Sequence, residues 1–215
     1  MAATLDVRFG GSASQHMTGT IQEQRKPTLK VAATFKISAA GRVTPIQEIV
    51  TSKDIYFKMA ALAATTGKPW VKISLAGMPA ASGASFGQLF QDLERSNPLA
   101  QARLLAVSKN AHQVGTQVVN GVSTTEYAGS YAAADALREL SPGSRKLLGP
   151  LLQALGSSTV RFHVWIDGQH LVRKFADTET ISGQLVTTTM NVTSINQGLT
   201  ISLPPASQIS SLPTG

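Results

Sequence analysis

VRFHVWIDGQHLVRKF (residues 160–175) decides the fold: Val160, Phe162, Val164 and Ile166 alternate with Arg161, His163 and Trp165 ahead of Asp167-Gly168. A period of two is that of a strand with one apolar and one polar face, and Asp-Gly is a strong hairpin signal. A two-residue loop there predicts Ile166 opposite Gln169, Val164 opposite Leu171, Phe162 opposite Arg173 and Val160 opposite Phe175. That register makes one face nearly all apolar and sets Arg173 on it, beside Phe162. Arg161, His163, Trp165 and His170 are expected on the outer face.

Working outward, the same alternation returns in Leu29, Val31, Ala33, Phe35 and Ile37, ending at an Ala40-Gly41 turn. It recurs in Ile55, Phe57 and Met59, in Val71, Ile73 and Leu75, and in the threonine-rich run Val186, Thr188, Met190 and Val192. Asn120-Gly121 predicts a second hairpin. Leu199 to Leu203 reads as a short last strand before Pro204-Pro205, and 206–215 as a coil tail, leaving 1–205 as a single domain.

Helical spacing is confined to the middle of the chain. Phe86, Leu89, Phe90 and Leu93 fall at i, i+3, i+4 and i+7. Further helices are expected over about Leu99 to Ser108, Ala132 to Leu140 and Ser141 to Gly156. The last carries Leu147, Leu148, Leu151, Leu152 and Leu155, with a break or kink at Pro150. Strands grouped with helices imply an α+β plan, one antiparallel sheet with helices on a single face.

Composition narrows the function. The chain is 14% charged, below the usual quarter of a soluble protein, so its apolar residues need an extensive interior. No run reaches the length of a membrane span, and Met1 to Asp6 lacks a signal peptide's regions. The absence of cysteine excludes disulfides, a thiolate nucleophile and a thiolate-bound metal. His16, His112, His163 and His170 show no metal-ligand spacing, and no nucleophile elbow, P-loop or dinucleotide fingerprint is present. No catalytic residue, metal or cofactor is therefore assigned. The net charge is +7, and residues 1–75 hold ten Lys/Arg against four Asp/Glu. Without an arginine cluster or aromatic stacking array this does not suit nucleic acid. Lys30, Lys36, Lys58 and Lys72 are instead expected on the outer sheet face, where they serve solubility or dock an anionic membrane.

Three segments carry a resemblance: Gly67-Lys68-Pro69-Trp70-Val71-Lys72-Ile73, the stretch from Val114 to Gly129 (VGTQVVNGVSTTEYAG), and Val164-Trp165-Ile166-Asp167 with Leu171-Val172-Arg173-Lys174. In this order they resemble actinobacterial lipoproteins of the LppX/LprG type, which are LolA-like, over roughly residues 17 to 205. The resemblance implies a strongly curved antiparallel β half-barrel whose concave face is capped by helices. It also implies an extracytoplasmic, envelope-anchored location, with signal sequence and lipidated cysteine preceding this segment, and an acyl lipid or lipoglycan as partner of a monomer. A non-enzymatic carrier is expected, or a sensor or protein-interaction domain of the same fold. The implied cavity takes Phe35, Phe57, Ile73, Phe162, Val164 and Met190 from the sheet. Its helical roof takes Phe86, Leu89, Phe90, Leu93, Leu148, Leu151, Leu152 and Leu155, and Arg173 stands at its mouth as a headgroup contact. On pattern alone the same apolar residues read first as a closed core, and it is the resemblance that turns the reading toward a cavity.

Overall fold

The computed structural model describes residues 1–10, 15–75, 107–139, 159–181 and 183–211. The stretches read as helices over Phe86–Leu93, 99–106 and 141–156 lie outside them, so a helical cap is not part of what is described. Among the described residues the chain is mostly strand. The strands are β1 Ala2–Phe9, β2 Gln15–Gln24, β3 Lys30–Ala39, β4 Arg42–Thr51, β5 Asp54–Lys58, β6 Trp70–Ser74, β7 His112–Val119, β8 Val122–Ala132, β9 Thr159–Asp167, β10 Val172–Ile181, β11 Gln184–Ser194 and β12 Ile209–Ser211. Two short helices, α1 Ala60–Thr66 and α2 Ala133–Glu139, accompany them.

All twelve strands form one open sheet in the order β12-β6-β5-β4-β3-β2-β1-β11-β10-β9-β8-β7. It consists of two meanders, β1 to β6 and β7 to β11, joined where β1 pairs antiparallel with β11. The turns explain its hairpins. Ala40 and Gly41, with φ of 48° and 75°, and Asn120 and Gly121, with 49° and 79°, are the positive-φ pairs of two-residue turns. Helix α1 ends at Gly67, whose φ of 67° suits a left-handed cap and whose N–H donates to Ala63 O at 2.9 Å.

The first hairpin read from the sequence has a different register. Val164 lies opposite Phe175, Phe162 opposite Asp177 and Ile166 opposite Val172, with a bulge between Val172 and Lys174. The cause is the Asp167 carboxylate, whose Oδ1 accepts the N–H groups of Gln169 at 2.8 Å and Leu171 at 2.9 Å. Asp167 thereby opens the turn instead of occupying its centre, and the left-handed residue is His170 at φ 61°. The result is a three-residue loop.

Strands β1, β2 and β4 lie outside the sequence reading, and residues 199–203, read as a strand, have no ladder partner. Instead the chain leaves β11 and crosses one face of the sheet as a strap. Ile201 and Leu199 pack on Ile49, Tyr56, Trp70 and Ala32, and the strap ends in β12, parallel to β6. Residues 206–211, read as coil, are thus a 3-10 turn and a strand.

Candidate functional site

Following the register across the sheet assigns every strand residue to a face. Phe35, Phe57, Ile73, Phe162, Val164 and Met190 share one, here the apolar face, together with Leu5, Val7, Val186 and Phe175. Lys30, Lys36, Lys58 and Lys72 lie on the opposite, strap face by the same ladders. The six sheet residues expected at a cavity are therefore brought onto one surface. Leu148, Leu151, Leu152, Leu155, Phe86, Leu89, Phe90 and Leu93 fall outside the described residues.

Burial along this face is uneven. Phe162 and Val164 are each 1% exposed, whereas Phe35, Phe57, Ile73 and Met190 are only half-buried. Two glycines let aromatic rings lie flat here. A Cβ at Gly19 would come within 2.5 Å of Phe35 Cδ1 and of Thr34 O, and one at Gly129 within 2.7 Å of Phe162 Cζ. Tyr131 stacks at a tilt on Phe162, with centroids 5.9 Å apart.

The apolar face also bears acids that the sequence reading passed over. Asp177 and Glu179 follow Phe175 at the same period, and Glu48 lies opposite Phe57 and Ala33. Burial pushes the Asp177 carboxyl up against the opposing pull of the Thr188 hydroxyl and N–H, and Asp177 Oδ1 is buried without a partner among the described residues. Burial also raises Glu179, with Asp177 adding to it, and raises Glu48. Tyr131 is pushed up to about 12 by burial and by the negative potential of Asp177 and Glu179. The arrangement is an apolar floor with hydrogen-bonding carboxyls at one end of β10. The alternation Phe175, Asp177, Glu179 was the signal for it.

Arg173 is not on that floor. Its Nε donates to Asp167 Oδ2 at 2.6 Å, and the pair is sheltered, with side chains 19% and 3% exposed. Burial opposes the charge on Asp167, but the Leu171 N–H, Arg173 and the Gln169 N–H outweigh it and hold this carboxyl below its usual range. Arg173 is thus held at the turn by Asp167.

The strap face differs from a simply solvated surface. Trp70 and Trp165, read as outward, are 9% and 7% exposed. Trp70 lies under the strap. Lys174 Nζ sits 4.2 Å above the Trp165 ring, which stacks on His163, itself 2.7 Å from Glu126. Lys30 donates to Ile201 O at 2.9 Å, Lys72 pairs with Asp54 at 3.2 Å, and Lys58 lies over Trp70 at 5.8 Å. A half-open depression of about 850 Å³ near Arg8, Gln15, His16, Ser38 and Leu185 lies at the end of β1 to β3. Asp6 bridges Arg8 and His16 there, at 3.0 and 2.8 Å. Phe9, Ala39 and Ala40 add to the depression's lining, which is more apolar than polar. Among the described residues no group of three His, Asp or Glu could hold a metal ion, and no helix is long and apolar enough to cross a membrane.

The fold and site thus define a mostly-β protein with one wide apolar sheet face and a strapped opposite face. No family model matches the chain. It is 26% identical over 162 residues to an uncharacterized 31.2 kDa protein of Streptomyces griseus from the rplA–rplJ intergenic region, covering 73% of this chain and 52% of that protein. The chain therefore spans about half the length of the curated relative it matches. Among solved structures it is similar to LprF from Mycobacterium bovis, with 14% identity, a TM-score of 0.46, and coverage of 95% of this chain and 88% of that one. It is also similar to the Mycobacterium tuberculosis lipoprotein LppX, with 18% identity, a TM-score of 0.42, and 88% and 84% covered. LppX is a lipoprotein of the type that the three sequence segments resemble.

Proposed function

We propose that this chain is a non-enzymatic, extracytoplasmic lipoprotein domain that binds the acyl chains of a lipid or lipoglycan against the apolar sheet face, for carriage within the cell envelope. The observation that supports it is the half-burial of Phe35, Phe57, Ile73 and Met190 on the same face as the fully buried Phe162 and Val164. Large apolar side chains left partly accessible on one surface gain from contact with methylenes, at about 0.8 kcal/mol for each CH2 buried. Burial is non-directional, so selectivity for chain type is coarse. Glu48, Asp177 and Glu179 offer hydroxyl-bearing headgroups a place to hydrogen-bond. Phe86, Leu89, Phe90, Leu93 and the leucines from Leu148 to Leu155 complete the enclosure in this reading.

Native mass spectrometry of the purified chain, followed by organic extraction, tests it. Adducts of acyl-lipid mass that disappear on extraction are expected. Apoprotein that takes up neither fatty acid nor phospholipid from mixed micelles refutes the reading and favours an interaction domain with a closed core. Phe57→Asp should abolish uptake, and Leu152→Trp should reduce it more than it reduces folding stability.

A further inference from the structure

We propose that the free edge of β7 pairs with the same edge of a second copy of this chain, forming an antiparallel, two-fold symmetric dimer centred on Gln117. Strand β7 ends the sheet, and among the described residues nothing pairs with its outer side. Apart from Gly115 and Val119 its residues are exposed, with Val114 at 53% and Val118 at 66%.

The two edges of the sheet are built differently. At the far edge, β12 is three residues long and parallel, with Lys68 and Lys72 beside it, which leaves little to template another strand. At the β7 edge no Lys, Arg, Asp, Glu or Pro occurs from Gln113 to Thr125. Its one blunting feature is the bulge between Gln113 and Gly115, which leaves Gly115–Val119 in regular pairing.

The hydrogen-bond direction fits self-pairing. The two-residue turn at Asn120-Gly121 makes Val119 and Val122 a hydrogen-bonded pair, so the Val119 backbone turns toward β8. Gln117 turns the same way, and the Thr124 hydroxyl donates to its carbonyl at 2.6 Å. The N–H and C=O of Thr116 and Val118 therefore point outward. An axis through Gln117 sets Thr116 of one copy opposite Val118 of the other, twice, in hydrogen-bonded pairs. Their β-branched side chains then meet on the apolar face.

Charge selects the occupant. Each copy carries +7, and ten of its 19 Lys/Arg lie in residues 1–75, which form β1 to β6 beyond the β11 seam. Edge-to-edge pairing at β7 joins the two copies at uncharged strands with their basic halves farthest apart. A charged peptide or an anionic vesicle finds no countercharge there. A contact of one strand per copy is smaller than the roughly 1,600 Å² of standard interfaces, so the association is weak and reversible.

The chain contains no cysteine, which permits a clean test. Gln117→Cys places one thiol on the axis, where non-hydrogen-bonded partners have Cα atoms about 4.5 Å apart, within disulfide reach. In a glutathione redox buffer it should form disulfide dimers at least about ten-fold faster than Lys53→Cys, an exposed turn thiol in the other half of the sheet, because the dimer raises the effective thiol concentration. Adding Val118→Pro, or Val118→Lys should the proline unfold the strand, removes that advantage while the thermal midpoint of the chain holds. Sedimentation equilibrium of the unmodified chain should show a mass rising with concentration from 22.6 kDa toward twice that. The proposal is overturned by equal crosslinking of Gln117→Cys and Lys53→Cys, by a mass fixed at that of one chain, or by a dimer indifferent to both Val118 variants.

Discussion

Loosening the strap at Ile201 should destabilise the first meander, and by an amount the contacts define. Ile201 is 4% exposed against Ile49, Tyr56 and Trp70. Its N–H donates to Gln24 Oε1 at 2.6 Å and its carbonyl accepts from Lys30 Nζ at 2.9 Å. Ile201→Ala removes three buried carbons. Core substitutions of this kind cost about 2–5 kcal/mol, and a strap that can settle onto the sheet puts this one at about 2–3 kcal/mol. Gln24→Leu, at a side chain 4% exposed, leaves the Ile201 N–H without its acceptor and should cost about 1–3 kcal/mol. Both act through one segment, so the double variant should lose less than the sum. Urea unfolding followed by tryptophan fluorescence measures all three, since Trp70 lies under the strap and should shift to the red as it loosens. Phe162→Ala, in the other meander, is the control that should add independently. An Ile201→Ala cost under about 1 kcal/mol, or full additivity with Gln24→Leu, would refute a cooperative strap.

Other outcomes follow from single features. Asp177, Glu179 and Glu48 have carboxyls raised in the folded chain, so the stability they confer is present below the unfolded carboxylate range near pH 4 and is lost as pH rises through their raised values. Asp177→Asn should therefore raise the thermal midpoint at pH 7 and leave it nearly unchanged at pH 4, and a variant less stable at both would contradict this. Asp167 runs the other way, its lowered carboxyl stabilising the chain above the unfolded value and losing that effect as pH falls through the folded one. Asp167→Ala should cost about 3 kcal/mol at pH 7 in chemical unfolding, because it frees a sheltered Arg173 and two turn N–H groups at once. Gly19→Ala should cost about 1–3 kcal/mol, since its Cβ meets the Thr34 carbonyl as well as the movable Phe35 ring. For membrane docking, Lys36→Glu is the informative reversal in liposome co-sedimentation at low salt, because Lys30 and Lys72 also hold the strap face together and their reversal should lower stability.

What was legible in the sequence and what was not divides by the range of the interaction. Alternation is local, and it sorted Phe35, Phe57, Ile73, Phe162, Val164 and Met190 onto one face, and the four lysines onto the other, without error. Asn120-Gly121 was equally readable because both of its residues take positive φ. Asp167-Gly168 looked alike but misled, since an aspartate can cap the turn with its carboxylate as readily as sit at its centre. That choice moved Arg173 off the apolar face and put Asp177 opposite Phe162. Strand β2 was hidden because Gln15, Gly19 and Glu23 interrupt its apolar side. Strand β4 was hidden by Pro45, which is tolerated because it lies beyond the pairing of β4 with β5 that ends at Gln47 and Lys58. The strap was out of reach for another reason. Burial of Tyr56 and Trp70 depends on Leu199 and Ile201, more than a hundred residues away, and no local period records which face a distant segment will cross. Polar character on both faces follows from the same logic. Trp70 and Tyr56 look solvent-facing by their neighbours and are buried by the strap, whereas Glu48 and Asp177 break the apolar pattern yet sit within it. The pattern therefore located the apolar floor of the candidate site, and the carboxyls that distinguish this floor from a plain core became visible only with the register in hand.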